Sequence, residues 1–200
     1  MIPAEKVMQI HLLFNGNGKR RGRFRPVLSL LILIGWISPV IALDQAPFFD
    51  RYGISAGFGA NVHPPETQIR TAFVLPYASH DFGRNWRGNL EAFLGMTFAP
   101  ENRLALGLTP IAQYNLGGFG LPKWFVEGGV GVFYTDVKVP GFGSVWTFSP
   151  QIGFGHAWAI DAKRAITLRL RYHHLSNAYL ARDNTSIDSI LLMVGMEFGK

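Results

Sequence analysis

The run Ser189-Ile190-Leu191-Leu192-Met193-Val194-Gly195-Met196-Glu197-Phe198 constrains this chain more than any other segment. Successive side chains of a strand point to opposite faces, so residues of one parity share a face. Ile190, Leu192, Val194, Met196 and Phe198 make a uniformly apolar row, whereas Ser189, Leu191, Met193, Gly195 and Glu197 make a mixed one. The same contrast separates Leu104, Leu106, Leu108 and Pro110 from Arg103, Ala105, Gly107 and Thr109. A greasy row beside a mixed row is the pattern of a strand with lipid on one side and a polar interior on the other.

Eight segments of this kind are expected: Arg51–Val62, Thr67–Ser79, Trp86–Phe98, Arg103–Asn115, Trp124–Thr135, Val145–Ile160, Ala165–Ser176 and Asp188–Phe198. Turn-forming clusters separate them, among them His63-Pro64-Pro65, Asp81-Phe82-Gly83, Gly117-Gly118-Phe119-Gly120 and Pro140-Gly141-Phe142-Gly143. A strand that crosses a bilayer at a tilt near 45° needs about 9–11 residues, whereas a soluble sandwich strand has about 5–6. Most segments have the greater length. An even number of such strands closes into a barrel with no edge exposed to lipid. The expected fold is therefore an all-β, eight-stranded antiparallel transmembrane β-barrel. Trp86, Trp124, Trp146 and Trp158 fit interfacial girdles at the strand ends.

The net charge of +6 does not describe the barrel. Lys6, Lys19, Arg20, Arg21, Arg23 and Arg25 precede the apolar run from Val27 to Ala42, which ends on a small residue, Ala42, with Val40 at the −3 position. This is the layout of a cleavable signal peptide over 1–42, followed by an outer-membrane domain over 43–200. An uncleaved N-terminal anchor is the alternative. Cleavage after Ala42 leaves 13 basic and 12 acidic residues, so the basic character gives no argument for a nucleic-acid partner. There is no Cys, which excludes a disulfide framework and a Cys-ligated metal. No His/Asp/Glu spacing resembles a zinc site, and no metal or diffusible cofactor is expected. Gly128-Gly129-Val130-Gly131 lacks the following helix that a phosphate cradle needs. His80 reads as a turn residue and His156 as an interior polar one.

The chemistry concentrates in the last strand pair. Leu168, Leu170 and Tyr172 continue in parity into His174 and Ser176, while Thr167, Arg169, Arg171 and His173 make the other row. An arginine facing lipid near the bilayer midplane costs about 2–4 kcal/mol. Arg169 and Arg171 are therefore expected to face inward, and His174 and Ser176 outward. Asp188 opens the outward row of the last strand. If Ser176 pairs opposite Asp188, His174 lies diagonal to the carboxylate and within its reach. With a periplasmic C-terminus, the group sits near the outer-leaflet interface.

Polar residues in a lipid-facing row need a reason, and ester hydrolysis supplies one. A serine hydroxyl is a weak nucleophile until a neighbouring base takes its proton. Imidazole suits that role near neutral pH. A carboxylate holds the imidazole in one tautomer and stabilises the imidazolium. Asn177 and Asn184, with nearby loop amides, are candidate oxyanion donors.

His174-x-Ser176-Asn177, then Asn184, then an acid twelve residues after the serine, resembles the PagL-type lipid A deacylases. The resemblance implies an eight-stranded outer-membrane barrel with a His-Ser-Glu triad on its lipid-facing exterior. It also implies lipid A within lipopolysaccharide as substrate, and hydrolysis of the acyl ester at position 3. Residue by residue, it makes His174 the base, Ser176 the nucleophile, and Asn177 and Asn184 the motif asparagines. Asp188 falls where the family usually has Glu. Tyr179 stands where the family usually has a Gly whose amide is implicated in the oxyanion hole. The expected partners are lipid A and the outer membrane, and a homodimer is also an expectation. The leading alternative is a catalytically inert OmpA-like structural or adhesive barrel. The others are an enzyme acting on glycerophospholipids and a soluble lipid-binding barrel.

Overall fold

The computed structural model describes residues 48–63 and 68–199. The signal peptide and the boundary after Ala42 lie outside the described residues. Eight strands follow in order: β1 (Arg51–His63), β2 (Arg70–Gly83), β3 (Trp86–Ala99), β4 (Arg103–Asn115), β5 (Trp124–Thr135), β6 (Trp146–Ala159), β7 (Arg164–Leu175) and β8 (Ile187–Gly199). Each pairs antiparallel with its neighbours, and β8 returns to pair with β1, so the sheet closes on itself. At 12–14 residues the strands are long enough to cross a bilayer at a steep tilt.

The parity inferred from sequence holds around the barrel. Leu104, Leu108, Val130, Val132, Ile152, Leu192 and Val194 are exposed on the outside. Ser79, Asn89, Glu91, Gln113, Glu127, Thr167, Arg169 and Arg171 are buried inside. The interior has two zones. Phe73, Phe93, Phe133, Leu175, Ile187 and Leu191 fill one end. Below them lies a buried ion cluster. Arg171 bonds Glu91 and Glu127 at 2.6 Å each, and Arg169 bonds Glu91 at 3.0 Å.

The second strand ends later than its sequence suggests. The second was expected over Thr67–Ser79, with a break at Asp81-Phe82-Gly83, but β2 continues to Gly83. Asp81 is held by Arg87 (2.7 Å) and Arg51 (3.3 Å), so an acid typical of turns is kept within the strand. The turn itself is Arg84-Asn85, both at positive φ. His80 accordingly lies in β2, paired with Asp50 at 2.9 Å. His156 is not an interior residue. Its ring packs between Trp124 (4.9 Å) and Trp158 (4.2 Å) in an aromatic belt on the outer face.

The two barrel ends differ. The end where β1 begins and β8 finishes has the connections 84–85, 116–123 and 160–163, whereas the other has 64–69, 100–102, 136–145 and 176–186. Short turns are periplasmic and longer loops extracellular in barrels of this kind. Strand β7 therefore rises toward the extracellular end, where His174 lies.

Candidate functional site

Strand β7 is fixed from both sides. Its inward row, Thr167, Arg169, Arg171 and His173, is buried in the polar interior. Its outward row, Ile166, Leu168 and Tyr172, meets lipid. A shift of one residue would move both arginines into hydrocarbon, so the ion cluster locks the register that turns His174 outward.

His174 pairs directly across from Asp188 on β8. Its Nδ1 lies 2.5 Å from Asp188 Oδ1, and both side chains are only partly exposed. Asp therefore spans the contact that the family pattern assigns to the longer Glu. The direct register removes the need for a diagonal reach. With Nδ1 committed to the carboxylate, Nε2 is the ring nitrogen left to act as base.

Ser176 does not lie opposite Asp188. Strand β7 ends at Leu175, and Ser176 bridges instead to Phe148 of β6, through Phe148 N–H to Ser176 O (2.8 Å) and Ser176 N–H to Phe148 O (3.1 Å). The bridge keeps Ser176 half-buried in the outward row, two positions beyond His174. Among the described residues, no hydrogen bond joins Ser176 Oγ to His174. The two Cα atoms stand about 7 Å apart along the extended chain.

The two asparagines hold the loop. The Asn177 side chain is buried and donates from Nδ2 to Asp183 O (2.6 Å) and Phe142 O (3.3 Å). Asn184 accepts the Asn177 backbone N–H on Oδ1 at 2.8 Å. Thr185 N–H donates to Gly141 O at 2.7 Å, which joins the 136–145 and 176–186 loops. A Cβ at Gly143, where φ is 69°, would come within 2.1 Å of Asp183 O, so the close approach of the two loops needs a glycine there. Val137, Val139 and Phe142 of the first loop are buried against Leu175 and Ile187. This loop packing was not read from the sequence, although Pro140-Gly141-Phe142-Gly143 carried a signal: an aromatic between two glycines in a turn.

Beyond Asn177 the chain makes a tight turn closed by Leu180 N–H to Asn177 O at 3.0 Å. Its central residues, Ala178 (φ 51°) and Tyr179 (φ 62°), both lie in the left-handed region. A non-glycine residue there costs roughly 1–2 kcal/mol, which is the physical reason for a glycine in the family pattern at 179. Among the described residues, neither N–H of this pair has an acceptor. The turn thus presents two free donors immediately after the serine, while the Asn177 amide is occupied.

A closed eight-stranded barrel, aliphatic outside and plugged by ion pairs inside, defines a small outer-membrane β-barrel, here with an acid–histidine pair on its lipid face. The family model of the lipid A 3-O-deacylases (PagL) matches residues 52–197. The chain belongs to that family, and it is an outer-membrane hydrolase acting on lipid A. Among solved structures, the outer-membrane enzyme PagL superposes with a TM-score of 0.54 at 21% identity, over 72% of this chain and 97% of that one. Neisserial surface protein A (NspA) superposes with a TM-score of 0.51 at 13% identity, over 76% and 97%. These likenesses concern the fold. A search of curated proteins gave no match. Neither the family match nor the barrel geometry supports the expected homodimer.

Proposed function

We propose that the chain hydrolyses the acyl ester at position 3 of lipid A by serine catalysis, with Ser176 as nucleophile, His174 as base and Asp188 as the orienting acid. The observation that carries this reading is the 2.5 Å contact between His174 Nδ1 and Asp188 on the lipid face, in the same outward row as Ser176. A polar acid–histidine pair facing lipid is costly, and catalysis at the ester-bearing depth of the outer leaflet accounts for keeping it.

His174 Nε2 takes the proton as Ser176 Oγ attacks the ester carbonyl carbon. The carbonyl oxygen becomes an oxyanion, which the N–H groups of Ala178 and Tyr179 are available to receive. Collapse breaks the bond to the sugar oxygen, and His174 returns its proton to that oxygen. Water then attacks the acyl-serine with His174 again as base, which frees the fatty acid and Ser176. Asn177 and Asn184 support this machinery by fixing the loop that carries the two amides, and the alternative of direct donation by the Asn177 amide would first require its release from Asp183 and Phe142.

Ser176→Ala is expected to abolish deacylation, by at least about a thousandfold, and to leave the barrel folded. The check is mass spectrometry of lipid A from expressing cells, with heat-modifiable gel mobility to report folding. Continued loss of one acyl chain in the presence of folded Ser176→Ala protein would end the nucleophile assignment.

A further inference from the structure

Tyr172 occupies an unusual place in the outward row. It pairs with Ile152 of β6 on one side and Ile190 of β8 on the other, so aliphatic side chains flank it at membrane depth. A phenol hydroxyl in such a setting is better placed with a hydrogen-bond partner than without one. Asp188 has the complementary need. Its side chain is 14% exposed against 30% for His174, and His174 engages only Oδ1. Tyr172 is diagonal to Asp188 across the β7–β8 ladder, an offset that an aromatic side chain spans. From that diagonal position the phenol can reach toward the Asp188 carboxylate oxygen that His174 leaves open.

We propose that Tyr172 is a positioning residue for the acid of the site: its hydroxyl donates to the Asp188 carboxylate and aims the short aspartate at His174. The inference rests on the triad reading above. Asp has one fewer methylene and one fewer side-chain torsion than the Glu of the family pattern. It reaches His174 only because the register sets the two directly opposite, and its carboxyl plane then has one orientation that serves the imidazole. A second donor to the carboxylate holds that orientation without contacting the substrate. The outward row of β7 thus becomes a chain of function from Tyr172 through His174 to Ser176, with Asp188 facing it from β8.

The test is a kinetic series on the purified full-length barrel in detergent, with lipid A as substrate and folding checked by heat-modifiable mobility. Tyr172→Phe keeps the ring and its contacts with Ile152 and Ile190. It is expected to lower kcat about tenfold while KM changes less than twofold, since an acid that no longer orients His174 affects the chemical step and not lipid binding. A kcat within twofold of the unaltered protein, or a loss carried by KM, overturns the proposal. Asp188→Glu supplies the second measurement. The longer acid carries its own reach, so Tyr172→Phe should cost less than about twofold in that background. A full tenfold cost there shows that Tyr172 does not act through the acid, and this too overturns the proposal. Ser176→Ala in the same series separates the two levels. If Ser176→Ala is active, the triad reading fails; if it is inactive and Tyr172→Phe is unimpaired, only the role of Tyr172 fails.

Discussion

Two serine–histidine pairs lie within one barrel wall of each other, carried by consecutive histidines of β7. Inside, His173 Nε2 meets Ser149 Oγ at 2.7 Å, and Gln151 Nε2 donates to the same hydroxyl at 2.8 Å. Outside, His174 meets Asp188 at 2.5 Å, and Ser176 follows in its row. By distance alone the inner pair is the better nucleophile–base couple. It lacks everything else. Ser149 has no exposed surface, and among the described residues no carboxylate is hydrogen-bonded to His173. The His173 ring instead packs beside Phe93 and Phe133. The outer pair has the acid, access to lipid and the two free turn amides. A short Ser–His contact is therefore weak evidence of catalysis, while the acid and the solvent that the pair faces decide its role.

His174→Ala gives the largest expected effect and breaks the comparison most directly. Loss of the base should reduce deacylation by about a thousandfold or more, with heat-modifiable mobility and membrane yield unchanged. Substantial turnover in that variant would mean that the outer pair is decoration and that the ester is cleaved elsewhere.

The next effect is on stability and concerns the inner face. Arg171→Met removes one of the two buried cations and leaves Glu91 and Glu127 short of a partner. Breaking a buried ion pair from one side costs about 3–5 kcal/mol. Urea unfolding in liposomes should show a drop of that size, while deacylation per folded molecule stays within a fewfold. Unchanged stability would show that the cluster does not lock β7. A loss of activity in fully folded protein would show that the inner row tunes the outer site more directly than register alone allows.

These contrasts also explain what was legible in the sequence. The cost of a lipid-facing arginine fixed the parity of β7, and with it the outward placing of His174, because burial energetics depends on residue type and not on distant partners. The eight strands were legible for the same reason. What depends on loops was not. Ser176 was expected at the end of its strand, but the strand ends one residue earlier and the serine bridges to Phe148 of β6. Sequence periodicity cannot say which neighbour claims a terminal residue. The late end of β2 has a similar cause, since Asp81 is kept in the strand by Arg51 and Arg87, one on β1 and one beyond the turn. Asn177 and Asn184 carry polar groups that could serve an oxyanion or a loop equally well. Their partners, Phe142 and Asp183, appear only when the loops meet.

Ser149→Ala is the smallest change and sharpens the comparison most. The substitution removes the hydroxyl that His173 and Gln151 share and leaves both without that partner in the interior. Gln151 keeps its bond to Thr109 at 3.2 Å and accepts from Arg171 at 3.0 Å, so the loss is confined to one hydroxyl. The expected cost is about 1–3 kcal/mol of stability, within what a buried unsatisfied group loses. Deacylation should remain within twofold, because strand alternation puts the altered face on the opposite side of β7 from His174 and Ser176. The readouts are the urea midpoint and the lipid A mass spectrum of the same preparation. A tenfold fall in deacylation at intact folding would give the inner pair a share in the reaction, and the separation of the two faces of β7 on which the site assignment depends would not stand.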